Sequence, residues 1–233
     1  MRVLRSLSLP LSTSILLVLS SSFATAGLIG PVLPYFGLAD SPFNGLPFTY
    51  FHLETFEEPG APTVPGVTLA GGVVIGPGAL VDSVEGINDG HDYFSGCGAC
   101  GVTFTFNAAA LGGNLPTDVG IVWTDGDGPN RTFKAFDSSN TLIGTIVDSS
   151  PLFFSSGGDS DAANYRFFGV SDPSGISSIF IANDGGGIEV DDLQFGFQGS
   201  NSVPEPNSLL LVLAIIAAGS FEGFRRRRSA GRS

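Results

Sequence analysis

Short segments in which apolar and polar residues alternate recur through the middle of the sequence, and residues that favour turns separate them. Val102–Phe106 alternates strictly as VTFTF, and Thr132–Phe136 does so as TFKAF. Turn signals such as Asp125-Gly126 and Asn183-Asp184-Gly185 stand between such segments. A period of two residues is that of a β-strand with one buried face, whereas an amphipathic helix has a period of about 3.6. We therefore expect an all-β fold of many short antiparallel strands, a β-sandwich or a barrel.

The predicted strands occupy one domain-sized stretch. Besides the two named above, they are Phe48–Phe56, Val67–Val74, Gly120–Trp123, Thr141–Val147, Arg166–Val170, Ile176–Ile181 and Ile188–Phe195. Glycine supplies 33 of the 233 residues, and no long amphipathic pattern of helical period occurs. We assign residues 48–198 to the sandwich, 27–47 to an irregular lead-in and 199–206 to a linker.

The C-terminus combines three features in a fixed order. They are a Pro-Glu-Pro triplet (Pro204, Glu205, Pro206), an apolar stretch, and four consecutive arginines (Arg225, Arg226, Arg227, Arg228). As a helix, residues 207–224 would be about 27 Å long, which is short but sufficient for a bilayer core of about 30 Å. Arginines beside an apolar helix stay on the cytoplasmic side. We therefore expect a single transmembrane helix over 207–224, an arginine-rich cytoplasmic tail over 225–233, and the rest of the chain outside.

This combination resembles the PEP-CTERM sorting signal of Gram-negative bacteria, in which a Pro-Glu-Pro triplet, one transmembrane helix and an arginine-rich end follow one another. The resemblance covers residues 203–233. It implies that an exosortase, a membrane cysteine peptidase, cleaves at or near the triplet. It also implies an inner-membrane-anchored precursor whose mature form reaches the cell surface or the extracellular space.

The N-terminus indicates export independently of the tail. Arg2 and Arg5 form a basic start, Leu7–Leu19 is apolar, and Ala24-Thr25-Ala26 has the small residues of a cleavage site. We predict a signal peptide over residues 1–26. The corresponding partners are the Sec machinery and signal peptidase, and the mature chain then begins at Gly27.

The part of the chain between these two ends is strongly acidic. Residues 27–202 contain 20 acidic side chains and three basic ones, a formal charge of −17. Such a charge argues against nucleic acids and anionic membrane surfaces as partners. It is compatible with cations and with neutral polysaccharides, and it also keeps an exported protein soluble.

Two short stretches resemble the jelly-roll domains of exported PEP-CTERM proteins and of carbohydrate-binding modules. They are LETFEE over Leu53–Glu58 and GIEVDDLQF over Gly187–Phe195. The resemblance implies that the first and last strands of the sandwich lie side by side. It also implies that an early glutamate and a late aspartate, here Glu57 and Asp191, share a structural calcium ion. Asp192 points to the opposite face of its strand, so it can join such a site only where the strand bulges.

A second acidic segment is the turn Asp125-Gly126-Asp127-Gly128. A turn can present two carboxylates together, and calcium binds clustered carboxylate and carbonyl oxygens. The segment lacks the further ligands of an EF-hand loop. It is therefore either a polar hairpin turn or a second calcium site.

The only two cysteines of the sequence, Cys97 and Cys100, form a C-x-x-C pair. Such a pair can be a redox centre, half of a zinc site or a local disulfide. Zinc would need two further ligands, for which His52, His91 or carboxylates are available. Because the pair lies in a glycine-rich loop of an exported chain, we predict a disulfide.

The sequence contains no strong catalytic motif. His91-Asp92 has serines nearby, but no G-x-S-x-G motif is present, and neighbours in sequence do not make a triad. Carboxylates are too frequent to single out a glycosidase pair. Aromatic rings that could stack on sugars are Tyr35, Tyr50, Tyr93, Trp123 and Tyr165, of which Trp123 lies in an apolar strand and is expected in the core.

We therefore expect a non-catalytic cell-surface or extracellular-matrix protein. Association with exopolysaccharide is what the jelly-roll resemblance implies. The alternatives are a purely structural matrix protein without a defined ligand and a carbohydrate-active enzyme. A cleft with two carboxylates about 5–9 Å apart would favour the enzyme.

Overall fold

The computed structural model describes residues 25–58, 64, 66–78, 81–87, 89–152 and 162–198. The predicted signal peptide up to residue 24, the linker, the transmembrane helix and the arginine-rich tail lie outside these ranges. Within them, no helix has the length and apolar character needed to cross a membrane.

Fourteen strands and two short 3₁₀ helices form the regular structure of the described ranges. The strands are β1 (Gly27–Val32), β2 (Phe48–Glu54), β3 (Val67–Ala70), β4 (Val73–Ile75), β5 (Asp82–Ser83), β6 (Gly86–Ile87), β7 (Asp92–Ser95), β8 (Val102–Phe106), β9 (Asp118–Gly126), β10 (Arg131–Asp137), β11 (Leu142–Asp148), β12 (Arg166–Ser171), β13 (Ile176–Asn183) and β14 (Ile188–Gln198). The 3₁₀ helices span Leu38–Asp40 and Ala162–Asn164.

The strands form two main antiparallel sheets. The larger sheet has the order β1-β12-β9-β14-β7-β4, and β2 also pairs with β14. The smaller sheet has the order β11-β10-β13-β8-β3, while β5 and β6 form a separate hairpin. All pairings are antiparallel, and one hydrophobic core contains residues of both sheets. The prediction of an all-β antiparallel sandwich is confirmed.

The alternation seen in the sequence places the core between the sheets. In β10, Phe133 and Ala135 are buried, whereas the ammonium group of Lys134 lies 5.6 Å from the ring centre of Phe180 on the other face. The ring of Phe133 stacks on that of Phe168 in β12, with 6.0 Å between ring centres. This contact joins the two sheets, and burying rings of this size supplies much of the free energy of folding.

Strand β14 is the central element of the larger sheet. It pairs with β9 along one edge, and along the other edge with β7 and then with β2. The pairing with β9 shifts register between Asp191 and Gln194, and Asp192 has a φ of +47°. This irregularity is a β-bulge. A bulge at this point is the condition given above for Asp192 to join a site with Asp191. The pairing of β2 with β14 also confirms that the first and last predicted strands lie side by side.

Several elements differ from the sequence prediction, and among them the β5–β6 hairpin was not predicted. Residues 27–47 were expected to be irregular, but they contain β1, and Tyr35 and Phe43 of this segment are buried. The segment Val67–Val74 is divided at Gly71, which has a φ of +93°, and its halves belong to different sheets. Strand β7 was not predicted. In residues 27–47, prolines and glycines interrupt the period of two. Strand β7 has only 4 residues, which is too short to show a period.

Two buried arginines connect the sheets at another point of the core. Asp148 Oδ2 at the end of β11 accepts hydrogen bonds from Arg131 Nε of β10 at 3.0 Å and from Arg166 Nη1 of β12 at 2.6 Å. The two guanidinium groups lie over the ring of Trp123, at 5.2 and 5.8 Å from its centre. Trp123 is buried, as predicted from its apolar strand. Ion pairing and aromatic contact offset the cost of removing two cations from water, although Arg166 Nε has no hydrogen-bond partner among the described residues.

Candidate functional site

An open groove of about 950 Å³ lies at one end of the sandwich. Its walls come from four separate parts of the chain. These are the start of β2, the connection from β8 to β9, the turn between β12 and β13, and the end of β14. None of its described lining residues carries a charge, although the predicted mature chain is strongly acidic. The groove therefore offers contact surface and neutral hydrogen-bonding groups.

Two aromatic rings form part of the groove wall. Tyr50 of β2 is 39% exposed, and its ring centre lies 5.5 Å from that of Phe197 and 6.1 Å from that of Phe195. Thr49 donates its hydroxyl to the carbonyl oxygen of Phe197 at 3.1 Å. Because Phe195 is fully buried, Tyr50 rests on the core and presents a supported ring to the groove.

Amide and hydroxyl groups also line the groove. Thr117 Oγ1 donates to Asp118 Oδ2 at 2.7 Å and accepts the backbone N–H of Gln198 at 2.9 Å. Gln198 Nε2 donates to Asp118 Oδ1 at 3.0 Å. Asn114 and Ser174 also line the groove. The hydroxyl protons of Thr117 and Ser174 are donated to Asp118 and Asp172, so these two hydroxyls can only accept from a ligand. The side-chain amides of Asn114 and Gln198 can donate as well as accept, as a neutral polar ligand requires.

The other aromatic candidates lie inside the protein. Tyr35, Tyr93, Trp123 and Tyr165 are all buried. The hydroxyl of Tyr35 donates to Asp192 Oδ2 at 2.7 Å, and that of Tyr93 accepts the backbone N–H of Gly72 at 3.1 Å. Among these five predicted candidates, only Tyr50 presents its ring to solvent.

The two predicted calcium ligands both border the β5–β6 hairpin. Glu57 accepts the backbone N–H of His91, and its Oε2 lies 3.0 Å from His91 Nδ1. Asp191 Oδ2 accepts the backbone N–H of Val84 at 2.8 Å. Oxygen atoms of Glu85, Asp191 and Asp192 lie within 4.8 Å of one another. Sharing of an ion by Glu57 and Asp191 stays a prediction.

Burial changes the acid strength of the two aspartates at the bulge. Burial, followed by the negative charge of Asp192, holds the pKa of Asp191 well above its usual range. Burial also raises the pKa of Asp192 to about 6, although the hydrogen bond from Tyr35 opposes the rise. Glu85 is exposed and adds negative charge to both. Two buried carboxylates next to each other favour a proton or a cation between them.

The remaining predicted residues have structural partners. Cys97 and Cys100 are joined in a disulfide. Asp125 lies opposite Glu189 in the pairing of β9 with β14, so the first half of the acidic turn belongs to the sheet. His91 contacts Glu57, and none of its described contacts places it beside a serine hydroxyl.

Comparison with known proteins gives low similarity. Neither a protein-family model nor a curated protein matches the chain. The K1 cleaved adhesin domain of Lys-gingipain from Porphyromonas gingivalis W83 is 14% identical with a TM-score of 0.43, over 64% of this chain and 99% of that domain. The C-terminal family 22 carbohydrate-binding module of Clostridium thermocellum Xyn10B is 14% identical with a TM-score of 0.37, over 67% of this chain and 98% of that module. These values are too low to assign the chain to either group.

Sequence reasoning found Tyr50 but missed the rest of the groove. Asn114, Ser174 and Gln198 lie in connections or at a strand end, where no periodic pattern marks them. Phe197 continues the alternation of β14 beyond the predicted end at Phe195. Extending that period of two by one step is the signal that would have found it.

Proposed function

We propose that this chain is an exported, non-catalytic protein of the cell surface or extracellular matrix, and that its groove binds a neutral polysaccharide such as the cell's own exopolysaccharide. The observation that carries the proposal is the exposed, supported ring of Tyr50 in an uncharged groove. An aromatic ring offers an apolar face to a sugar ring, and nearby amides and hydroxyls hydrogen-bond its hydroxyl groups. The open shape suits a chain rather than an enclosed small molecule.

Binding is favoured over hydrolysis in this groove. Glycoside hydrolysis needs two carboxyl groups on either side of the scissile bond. No carboxylate is among the described residues that line the groove. Asp118 lies next to it, but its oxygens accept hydrogen bonds from Thr117, Ser171 and Gln198.

The strand order supports a jelly-roll assignment for the sandwich. Strands β7, β14, β9 and β12 are neighbours in the larger sheet, and β8, β13, β10 and β11 are neighbours in the smaller one. Successive strands of this set mostly alternate between the sheets, as in two interleaved Greek keys. The proposal therefore combines a jelly-roll domain with export by a signal peptide and sorting by an exosortase.

Replacing Tyr50 by alanine should weaken binding to exopolysaccharide purified from the producing bacterium by about tenfold, or about 1.4 kcal/mol. Loss of the stacking face is the reason, and binding is measured by co-sedimentation with increasing polysaccharide. Phe36→Ala is the matched control, because Phe36 is 59% exposed and does not line the groove. Equal binding by the wild type and Tyr50→Ala would remove the groove from the proposal. No binding by the wild type would favour the purely structural alternative.

Replacing Arg225–Arg228 by glutamine should prevent correct sorting of the precursor. The four arginines hold the C-terminal end of the predicted helix on the cytoplasmic side, so the Pro-Glu-Pro triplet before the helix lies outside, where the exosortase would cleave. Cell fractionation and blotting report the ratio of precursor to processed protein. Arg232→Gln keeps the cluster and should be processed like the wild type. Normal processing without the cluster would contradict the sorting assignment.

A further inference from the structure

The C-terminal end of β14 lies in the wall of the groove. Gln198, the last residue of this strand, lines the groove together with Phe197. Its backbone N–H donates to Thr117 Oγ1 at 2.9 Å, and its side-chain amide donates to Asp118 Oδ1 at 3.0 Å. These two hydrogen bonds fix the position of Gln198, so the residues that follow it in the chain start at the groove.

The segment that follows Gln198 is rich in proline and nearly uncharged. Residues 199–206 read GSNSVPEP, and Glu205 is their single charged side chain. An extended chain spans at most about 3.6 Å per residue, so Val203 can reach about 18 Å from Gln198 and Pro206 about 29 Å. The segment before the predicted transmembrane helix is therefore long enough to lie along the groove.

The two prolines favour one conformation of this segment. Val203 and Glu205 each precede a proline, which favours the extended polyproline II conformation at both positions. This conformation has about three residues per turn and no internal hydrogen bonds. In it, Val203 and Pro206 share one face, Glu205 points to another, and the carbonyl groups are free to accept hydrogen bonds. The segment can thus offer an apolar face and keep its charge in water.

The groove has the groups that such a segment needs. Apolar contact is available from Tyr50, Leu111, Leu115, Pro173 and Phe197. The exposed side-chain amide of Asn114 can donate to a carbonyl oxygen. Aromatic-lined grooves with such donors are the usual binding sites of proline-rich segments. The described part of the lining is uncharged, so it does not repel Glu205 as the acidic remainder of the domain would.

We propose that residues 199–206 bind in the groove of their own chain, with the face of Val203 and Pro206 against the ring of Tyr50. The attachment at Gln198 makes this binding intramolecular. A short flexible connection gives an effective concentration of about 1 mM. A contact with a Kd of only about 0.1 mM would then fill the groove in about nine of ten molecules.

The consequence for ligand binding rests on the proposed function of the groove. A proline ring and a sugar ring both present C–H groups to an aromatic face, so the segment and a polysaccharide compete for Tyr50. The segment lowers the apparent affinity for polysaccharide by about tenfold at the occupancy given above. Cleavage at or near the Pro-Glu-Pro triplet divides the segment and frees the groove. Sorting would thereby activate binding only after the protein has left the membrane.

Disulfide trapping in the full chain, purified in mild detergent, tests the contact. Asn114→Cys combined with Val203→Cys places one thiol on the groove wall and one in the segment. The two native cysteines are already joined and do not compete. Under mild oxidation, the intramolecular disulfide should form at least about five times faster than in the same pair with Pro204→Gly and Pro206→Gly. The glycines keep the length of the segment but remove its polyproline II preference.

Hydrogen exchange followed by mass spectrometry needs no substitution in the domain. The backbone amides of residues 110–115 should exchange up to about tenfold more slowly in the wild type than in Pro204→Gly/Pro206→Gly, because the bound segment covers them. The amides of β10, which does not line the groove, should exchange equally in both. The glycine variant should also bind exopolysaccharide about tenfold more tightly than the wild type.

Equal trapping rates and equal exchange with and without the two prolines would overturn the proposal. A disulfide that forms only between two chains would overturn it as well, because the groove would then hold the segment of a second copy. Successful trapping without any polysaccharide binding would support the intramolecular contact and contradict the proposed function. Equal polysaccharide binding with equal trapping rates would do the reverse.

Discussion

Replacing Asp148 by alanine is expected to lower the free energy of unfolding by about 3–5 kcal/mol. The substitution leaves the guanidinium groups of Arg131 and Arg166 buried without their shared carboxylate. A buried charge that loses its partner keeps the full cost of its removal from water. Urea unfolding followed by circular dichroism measures this loss of stability as a lower urea concentration at the unfolding midpoint.

A triple variant separates the cost of an unpaired charge from the value of the ion cluster itself. Asp148→Leu combined with Arg131→Met and Arg166→Met removes all three charges and keeps apolar volume over Trp123. Replacement of a whole buried ion cluster is often neutral or stabilising, so this variant should be more stable than Asp148→Ala. An Asp148→Ala variant within about 0.5 kcal/mol of the wild type would show that solvent already reaches the arginines.

The contribution of Asp148 to the free energy of unfolding should decrease at acidic pH. Burial raises the pKa of Asp148, but hydrogen bonds from Ser150 and the charges of the two arginines lower it more, so the folded-state pKa lies below the ordinary value. A depressed carboxyl pKa stabilises the fold above the unfolded-state pKa of about 3.9, and this stabilisation is lost as the pH falls through the folded-state value. The difference in midpoint between the wild type and Asp148→Asn should therefore narrow below about pH 4.

Most of the sandwich was predictable because its strands keep one buried face. Val102–Phe106 matches β8 in full, and the predicted starts of β12, β13 and β14 agree with the structure. In each case a period of two, or a short apolar run, reflects packing against the opposite sheet. Local sequence carries this information because each strand contributes its own buried face.

The structure of residues 27–47 could not be predicted from such local patterns. Tyr35 is fully buried there, but its partners Asp192 and Gln194 lie more than 150 positions away in the chain. Such a contact depends on the finished larger sheet and leaves no local period. The buried arginines are similar, because their partner Asp148 becomes apparent only when β10, β11 and β12 are together.

The candidate site was predictable only in part, for the same reason. Tyr50 stood out as an aromatic residue in a predicted strand, but its exposure depends on the connections that form the groove. Asp191 is predicted as a calcium ligand from a family resemblance and this role stays a prediction, whereas the sequence draws attention to Asp92 only as a neighbour of His91. Its burial beside Glu189 follows from the pairing of β7 with β14, which the sequence does not specify.

Replacing Phe104 by alanine should lower the free energy of unfolding by about 3–5 kcal/mol. Phe104 of β8 is fully buried, and its ring centre lies 5.7 Å from that of Tyr93 in β7 and 6.4 Å from that of Phe56. It therefore joins the smaller sheet to the larger one, and its removal leaves a cavity between them. The midpoint of urea unfolding at constant m-value measures the loss.

The loss of unfolding free energy in Phe104→Ala depends on whether the two sheets enclose a rigid core around Phe104. Phe36→Ala removes the same number of atoms from a side chain that is 59% exposed, so its effect should stay within about 0.5 kcal/mol. Phe104→Leu leaves a smaller cavity and should lie between the two. A loss below about 1 kcal/mol for Phe104→Ala would mean that β8 can move toward β7 and fill the space. Such collapse would contradict a core that is fixed from both sides by the strand pairing of its sheets.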